Sequence, residues 1–253
     1  MHTGYIALLD ILGFSSLIAS GSGGERVAAY LGCLQQMKRE TSVDFVAFSD
    51  SIVLTVTGDD PDALLKIMKA CSRLMYSLIL ESIPLRGAIS WGEFDKSSVG
   101  DSVFVAGNPV IDAYRFEQIQ DWVGIMLAPS ACSRVPNLDK RCLLPENASQ
   151  IVNLGTLLAW PAVVQASSVP FKHSNPSNPE YCDHYKGFAI VPTNDSLNPQ
   201  ALADGIMAVI DRLDRLRTLA PAPAVQRKYD RAISWLSGFQ VRWAHLASLV
   251  RSS

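Results

Sequence analysis

Two aspartates occupy positions with a chemical use. Asp10 breaks an apolar run, Tyr5–Leu9, that reads as a buried strand. Burial gives such a strand no use for a carboxylate, because an unpaired buried charge is costly and needs a partner or a metal. Gly13, followed by Ser15 and Ser16, permits a tight turn into a helix whose free backbone N–H groups can face an anion. Asp50 stands between two β-rich runs, Val43–Phe48 and Ser51–Thr57, which read as a hairpin and lift a second carboxylate to a strand end. Each residue also has an ordinary reading, Asp10 as a helix N-cap and Asp50 as a turn former. Side by side at the ends of neighbouring strands they would form a cup for two hard cations, Mg²⁺ or Mn²⁺, that also bind phosphates. Such a pair activates an attacking oxygen and neutralises a leaving group in an in-line displacement.

The elements that must position these residues follow from periodicity. A helix is predicted from Glu25 to Glu40, with Val27, Tyr30, Leu34 and Met37 on one face. Asp60-Pro61 starts another, carried by Leu64, Ile67, Cys71, Leu74 and Leu78 to about Ile83, before Pro84. Leu85–Phe94 and Val103–Val105 are strands, Gly107–Pro109 turns into a helix through Gln118, and Trp122–Leu127 is again strand-like. This order predicts an α+β fold: a ferredoxin-like, mixed but mainly antiparallel sheet with helices on one face.

Residues 128–184 are less regular. Gln165–Tyr185, rich in Ser, Asn and Pro, is expected to be a surface loop. It contains His173, Cys182 and His184, whose spacing matches no familiar zinc pattern. Lys186–Val191 reads as the last core strand. Two helices close the chain, one from Asn198-Pro199 to about Leu219 and one after the Pro-Ala-Pro-Ala segment at 221–224. The second carries a near-heptad seam through Tyr229, Leu236, Trp243 and Val250, expected to pack on the protein's own core, with a dimer seam as the alternative. Arg227, Lys228, Arg231, Arg242 and Arg251 are expected on its outer face. The organisation expected is a domain over 1–195 and a helical extension over 196–253.

Composition bounds the function classes. The net charge of −2 gives no global reason to expect nucleic acid as a partner. The five cysteines, in no C-x-x-C pair, read as reduced thiols of a cytoplasmic protein. The apolar N-terminus has no Lys or Arg ahead of it and is broken by Asp10, so no signal peptide is expected. No run of about 20 apolar residues predicts a membrane span.

Four segments, in order and approximate spacing, resemble the class III nucleotide cyclases. They are Asp10-Ile11-Leu12-Gly13-Phe14, Phe48-Ser49-Asp50-Ser51, Arg86-Gly87-Ala88-Ile89-Ser90-Trp91-Gly92 and the stretch from Gly107-Asn108-Pro109 through Arg115-Phe116-Glu117. The resemblance covers about residues 5–127 plus the Tyr185-Lys186-Gly187 strand. It implies that Asp10 and Asp50 hold the metals with the Ile11 carbonyl, and that the amides of Leu12, Gly13 and Phe14 cradle phosphate. It also implies that Arg115 steadies transition-state charge across a homodimer with composite sites, with Lys186 as a looser match for a triphosphate-binding lysine. An ion pair of Arg115 with Asp112 or Glu117 on its own helix is the structural alternative.

The departures from the family pattern concern the base. Its base-reading Lys, four residues before the second metal Asp, falls on Val46; the base-reading Asp falls on Phe104; the Asn four before the arginine is Ile111. With Phe48 these make a bulkier, more apolar pocket that lacks the groups that read a purine edge. The chain therefore looks like the short bacterial pyrimidine cyclases of the Pycsar anti-phage systems. That resemblance implies UTP, then CTP, converted to a 3′,5′-cyclic mononucleotide that acts on a separate effector. The alternatives are an adenylate or guanylate cyclase with an atypical base pocket, or a catalytically silent cyclase-fold module that binds nucleotide.

Overall fold

In a computed structural model, the described residues are 1–19, 23–100, 102–143, 154–170, 184–194 and 196–252. They form one sheet in the order β2-β3-β1-β4-β6-β8-β7, with β5 paired to β4 off that path. Its strands are β1 (His2–Ile11), β2 (Asp44–Phe48), β3 (Ser51–Thr57), β4 (Leu85–Val99), β5 (Ser102–Gly107), β6 (Ile125–Leu127), β7 (Val164–Pro170) and β8 (His184–Ile190). Only the short β4–β6 pairing is parallel, so the sheet is mixed and mainly antiparallel as expected.

Strand register divides β1 into two faces. Tyr5, Ala7, Leu9 and Ile11 lie on one, in line with Val56, Leu54 and Ile52 of β3 and with Ile89 and Leu85 of β4. That face is mainly apolar, with the Tyr5 phenol and the Trp91 indole as its polar atoms. It joins the core built by α2 (Gly23–Thr41), through Tyr30, Leu34 and Met37, and by α3 (Pro61–Leu80). The expected helical layer is therefore present. In addition, α4 (Asn108–Ile119) packs on β1 and β4 over the other face, where Ser90 donates to the Pro109 carbonyl at 2.5 Å.

Local chemistry sets the boundaries. Asp60 caps α3 by accepting from the Ala63 N–H at 2.8 Å. The helix stops before the expected Ile83 because Ser82 takes a left-handed conformation at φ 62°. The Ser82 and Ile83 amides then bond back to Ile79 and Leu78, a Schellman closure. The loop expected from Gln165 is corrected: 164–170 is strand β7, paired antiparallel with β8. Polar Ser and Gln residues mask a strand whose partner lies beyond residue 183. α5 (Pro129–Cys132), α6 (Leu138–Arg141) and α7 (Leu154–Val163) fill the stretch read as irregular. His173 and Cys182 fall outside the described residues, as does the side chain of His184.

The C-terminal pair, α8 (Pro199–Leu219) and α9 (Pro223–Ser252), forms an antiparallel hairpin. The α9 seam packs on the protein's own core, with Trp235 edge-on to Trp122 at 5.4 Å and Leu236, Phe239 and Trp243 buried. Arg231, expected on the solvated face, instead ion-pairs with Asp121 ahead of β6.

Candidate active site

β1 runs between β3 and β4, with Asp10 opposite Ser51 on one side and Arg86 on the other. The Ile11 N–H donates to the Asp50 carbonyl at 2.9 Å, which stitches the β2–β3 turn to the end of β1. Asp50 and Asp10 are thereby neighbours, although they are distant in sequence. Ser49, at φ 56°, tightens the turn that presents Asp50. The Tyr30 phenol from α2 lies beneath this corner, edge-on to Phe14 at 6.4 Å. Burial, and then the charge of Asp50, push its pKa up to about 12. Its hydroxyl has no hydrogen-bond partner among the described residues.

Arg86 is the site residue that sequence reasoning missed. Its side chain is 9% exposed, with Nη2 3.6 Å from the Asp10 carboxylate, Nε paired with Glu117 of α4, and Nη1 3.5 Å from the Gln120 carbonyl. Glu117 is almost fully buried, whereas Asp10 is 26% exposed. A buried guanidinium thus stands between a closed acid and an open one. The signal was available: an Arg in the apolar stretch Leu85–Ile89 is as anomalous as Asp10 in β1. Antiparallel pairing brings the two anomalies together.

The donors present fit a hard divalent cation. Among the described residues no three His, Cys, Asp or Glu side chains converge. A cation here would take Asp10, Asp50 and a backbone oxygen such as that of Ile11, and complete its shell with water or phosphate. Mg²⁺ is commonly held in that way.

One part of the expected phosphate cradle is corrected. The Leu12 N–H donates to the Pro84 carbonyl at 2.9 Å, because the chain leaving β1 still lies alongside the start of β4. Of the expected cradle, Gly13 and Phe14 are left. Gly13 has φ 75°, a left-handed bend that a side chain would strain, and Phe14 opens α1 (Phe14–Ala19), where an N–H has no intrahelical acceptor.

Arg115 is exposed on α4. Its two candidate helix partners are engaged elsewhere: Glu117 with Arg86, and Asp112 as acceptor from the Ser130 hydroxyl at 2.5 Å. Lys186 lies on β8 opposite Ser168, and its side chain is outside the described residues. Val46 and Phe48 share the face of Asp10, since Val46 is in register with Val53 and Leu8, and Phe48 with Ser51 and Asp10. Phe48 is 82% exposed, Phe104 on β5 58% and Ile111 on α4 49%.

No protein-family model matches this chain, and a search by sequence among curated proteins finds no relative. By structure it is similar to two adenylate cyclases of Trypanosoma brucei solved in their monomeric state. The first has a TM-score of 0.50 at 12% identity over 78% of this chain and 91% of that one. The second has 0.50 at 9% identity over 75% and 90%. The guanylate cyclase domain of RhGC from Catenaria anguillulae, in complex with GTP, aligns at 0.48 and 13% identity over 76% of this chain and 97% of that one. At these identities the likeness concerns the fold: the chain has the class III nucleotidyl cyclase fold. No helix among the described residues is long and apolar enough to cross a membrane.

Proposed function

We propose that this protein is a homodimeric pyrimidine nucleotide cyclase, converting UTP, and CTP less well, to a 3′,5′-cyclic mononucleotide and pyrophosphate. The product would serve as a cytoplasmic anti-phage second messenger for a separate effector. One observation carries the reading: the β2–β3 turn is bonded to the end of β1, which makes neighbours of Asp10 and Asp50 on a class III cyclase fold. Mg²⁺ or Mn²⁺ bound there would lower the pKa of the ribose 3′-hydroxyl and offset triphosphate charge.

The chain's own residues supply orientation and charge. Asp10 and Asp50 would hold the cation that sets where the triphosphate sits, and the Gly13 and Phe14 amides receive phosphate oxygens. Arg115, exposed and without a partner on its own helix, reaches the site of a second subunit and forks onto phosphoryl oxygen as charge develops. Lys186 is assigned to the triphosphate. The 3′-oxygen forms its bond to the α-phosphorus as the bond to the bridging oxygen breaks. Pyrophosphate leaves and the hydroxyl proton passes to solvent. Val46, Phe48, Phe104 and Ile111 make an apolar pocket with no group to pair a purine edge, which favours the smaller ring.

A second reading rests on a specific observation. Asp10 already has a cation, Arg86, at 3.6 Å, as a carboxylate in a silent nucleotide-binding module would. Incubation with each of the four NTPs and Mn²⁺, with products identified by mass, separates the readings. Cyclic UMP from wild type and none from Asp50→Asn supports the pyrimidine cyclase. A cyclic purine product replaces the base assignment. Tight binding of one NTP without pyrophosphate release establishes the silent module.

A further inference from the structure

A cavity of about 340 Å³ lies where the α8–α9 elbow meets the β1–α1 bend. Leu12 and Gly13 line it on the side of the bend, Leu216 and Val225 on the side of the elbow, and Pro84 and Val123 between them. Into this mainly apolar space come two cations, Arg26 from α2 and Lys228 from α9, and among the described residues no carboxylate lines it. Among the described residues neither cation has an ion pair. Arg26 donates only to the Ser82 carbonyl, at 3.3 Å. Both side chains are half-buried. The family resemblance assigns nothing here, and Lys228 was expected in solvent on the outer face of α9.

We infer that this cavity binds a small amphipathic organic anion, a carboxylate with an apolar body. Half-buried cations that lack a protein counter-charge favour an anion, because its charge-assisted hydrogen bonds replace lost hydration. The rest of the wall favours hydrocarbon and has few groups to pair a polar ligand. Inorganic phosphate would leave that wall wet, a neutral hydrocarbon would leave the cations unmatched, and a triphosphate carries more charge than two cations balance. The volume is in the range of small-molecule sites.

Leu12 and Gly13 belong both to this cavity and to the bend that presents the phosphate cradle. An anion held by Arg26 and Lys228 therefore braces that bend, and the α8–α9 hairpin serves as the sensor. Binding is independent of the cyclase reading; only its consequence for turnover rests on that reading.

The test is isothermal titration of the full chain with octanoate, octan-1-ol and inorganic phosphate. The variants are Arg26→Gln/Lys228→Gln, which removes the charges, and Ala220→Trp, which fills the space. Thermal melts check folding. Expected is one octanoate per chain, bound at least roughly tenfold more tightly than octanol or phosphate. The charge variant should weaken octanoate by a similar factor and the filled variant should abolish binding. Absence of octanoate binding, or equal affinity for wild type and the charge variant, overturns the proposal whether or not Ala220→Trp folds. Octanoate that binds as expected to a protein without NTP turnover leaves this site standing and defeats the cyclase reading instead. Equal binding of octanol reassigns the cavity to neutral apolar ligands and overturns the anion.

Discussion

The two faces of the central sheet are built on different terms. On the face of Tyr5, Ala7, Leu9 and Ile11, all four positions are nearly or fully buried, in one core cluster with residues of α2 and α3. On the face of Ile6, Leu8 and Asp10, the same strand carries a carboxylate and its partner β4 carries Arg86 and Ser90. α4 covers only part of that second face, and Phe48 beyond it stands in the open. One face buries apolar area and gains most of the stability. The other carries charges that are paired within the chain, Arg86 with Glu117 and with Asp10. The charged residues stand where the pleat turns away from the apolar core.

The largest expected effect separates the faces by function. Asp50→Asn is expected to lower cyclase turnover by roughly 10²-fold or more while the melting temperature stays unchanged or rises, since removing charge from a site carboxylate relieves repulsion. Steady-state kinetics and calorimetry on one preparation test both halves. A marked fall in melting temperature would make Asp50 a structural turn residue.

Glu117→Ala probes the buried Arg86–Glu117 ion pair. It leaves Arg86 buried beside Asp10 alone, and a loss of about 3–5 kcal/mol is expected in chemical denaturation. A loss below about 1 kcal/mol would mean that Arg86 relaxes to solvent. On the other face, Leu74→Ala in α3, fully buried, should cost about 2–5 kcal/mol with kcat unaffected in the molecules that remain folded.

Phe48→Ala removes an exposed ring. Stability should move by no more than about 0.5 kcal/mol, while the ratio of kcat/KM for UTP and CTP shifts several-fold. An unchanged ratio removes Phe48 from the base pocket.

The smallest effect concerns acid. Hydrogen bonds from Lys38, at 2.5 Å, and Lys96, at 2.6 Å, hold the Asp44 carboxyl down at about 2. A carboxyl lowered on folding stabilises above its unfolded pKa, about 3.9, and that contribution is lost as pH falls toward the folded value. Wild type should therefore exceed Asp44→Asn in urea midpoint by a constant margin above about pH 5, shrinking below about pH 4. The margin is small because the group is half exposed and screened. A margin that grows on acidification would reverse the assignment.

Several elements were legible from local chemistry alone. The α3 cap, the β2–β3 hairpin and the helix after Gly107 follow from capping residues, β-branched runs and glycine, because those preferences act within a few residues. β7 was not legible. Its Gln165-Ala166-Ser167-Ser168 sequence has the composition of a loop, and only pairing with β8 makes it a strand. The engagement of the Leu12 amide by Pro84 was equally hidden, since a hydrogen bond across 72 positions leaves no local trace.

By itself, then, the amino-acid sequence determined that two aspartates lie at strand ends and that a glycine bend follows the first. Spacing along a chain reports which face and which turn a residue occupies. Tertiary structure alone decided that Arg86 lies between Asp10 and Glu117, and that Arg26 and Lys228 meet in one cavity. Contacts of that kind depend on which strands become neighbours and where a distant helix hairpin comes to rest, and both are settled only when the whole core packs.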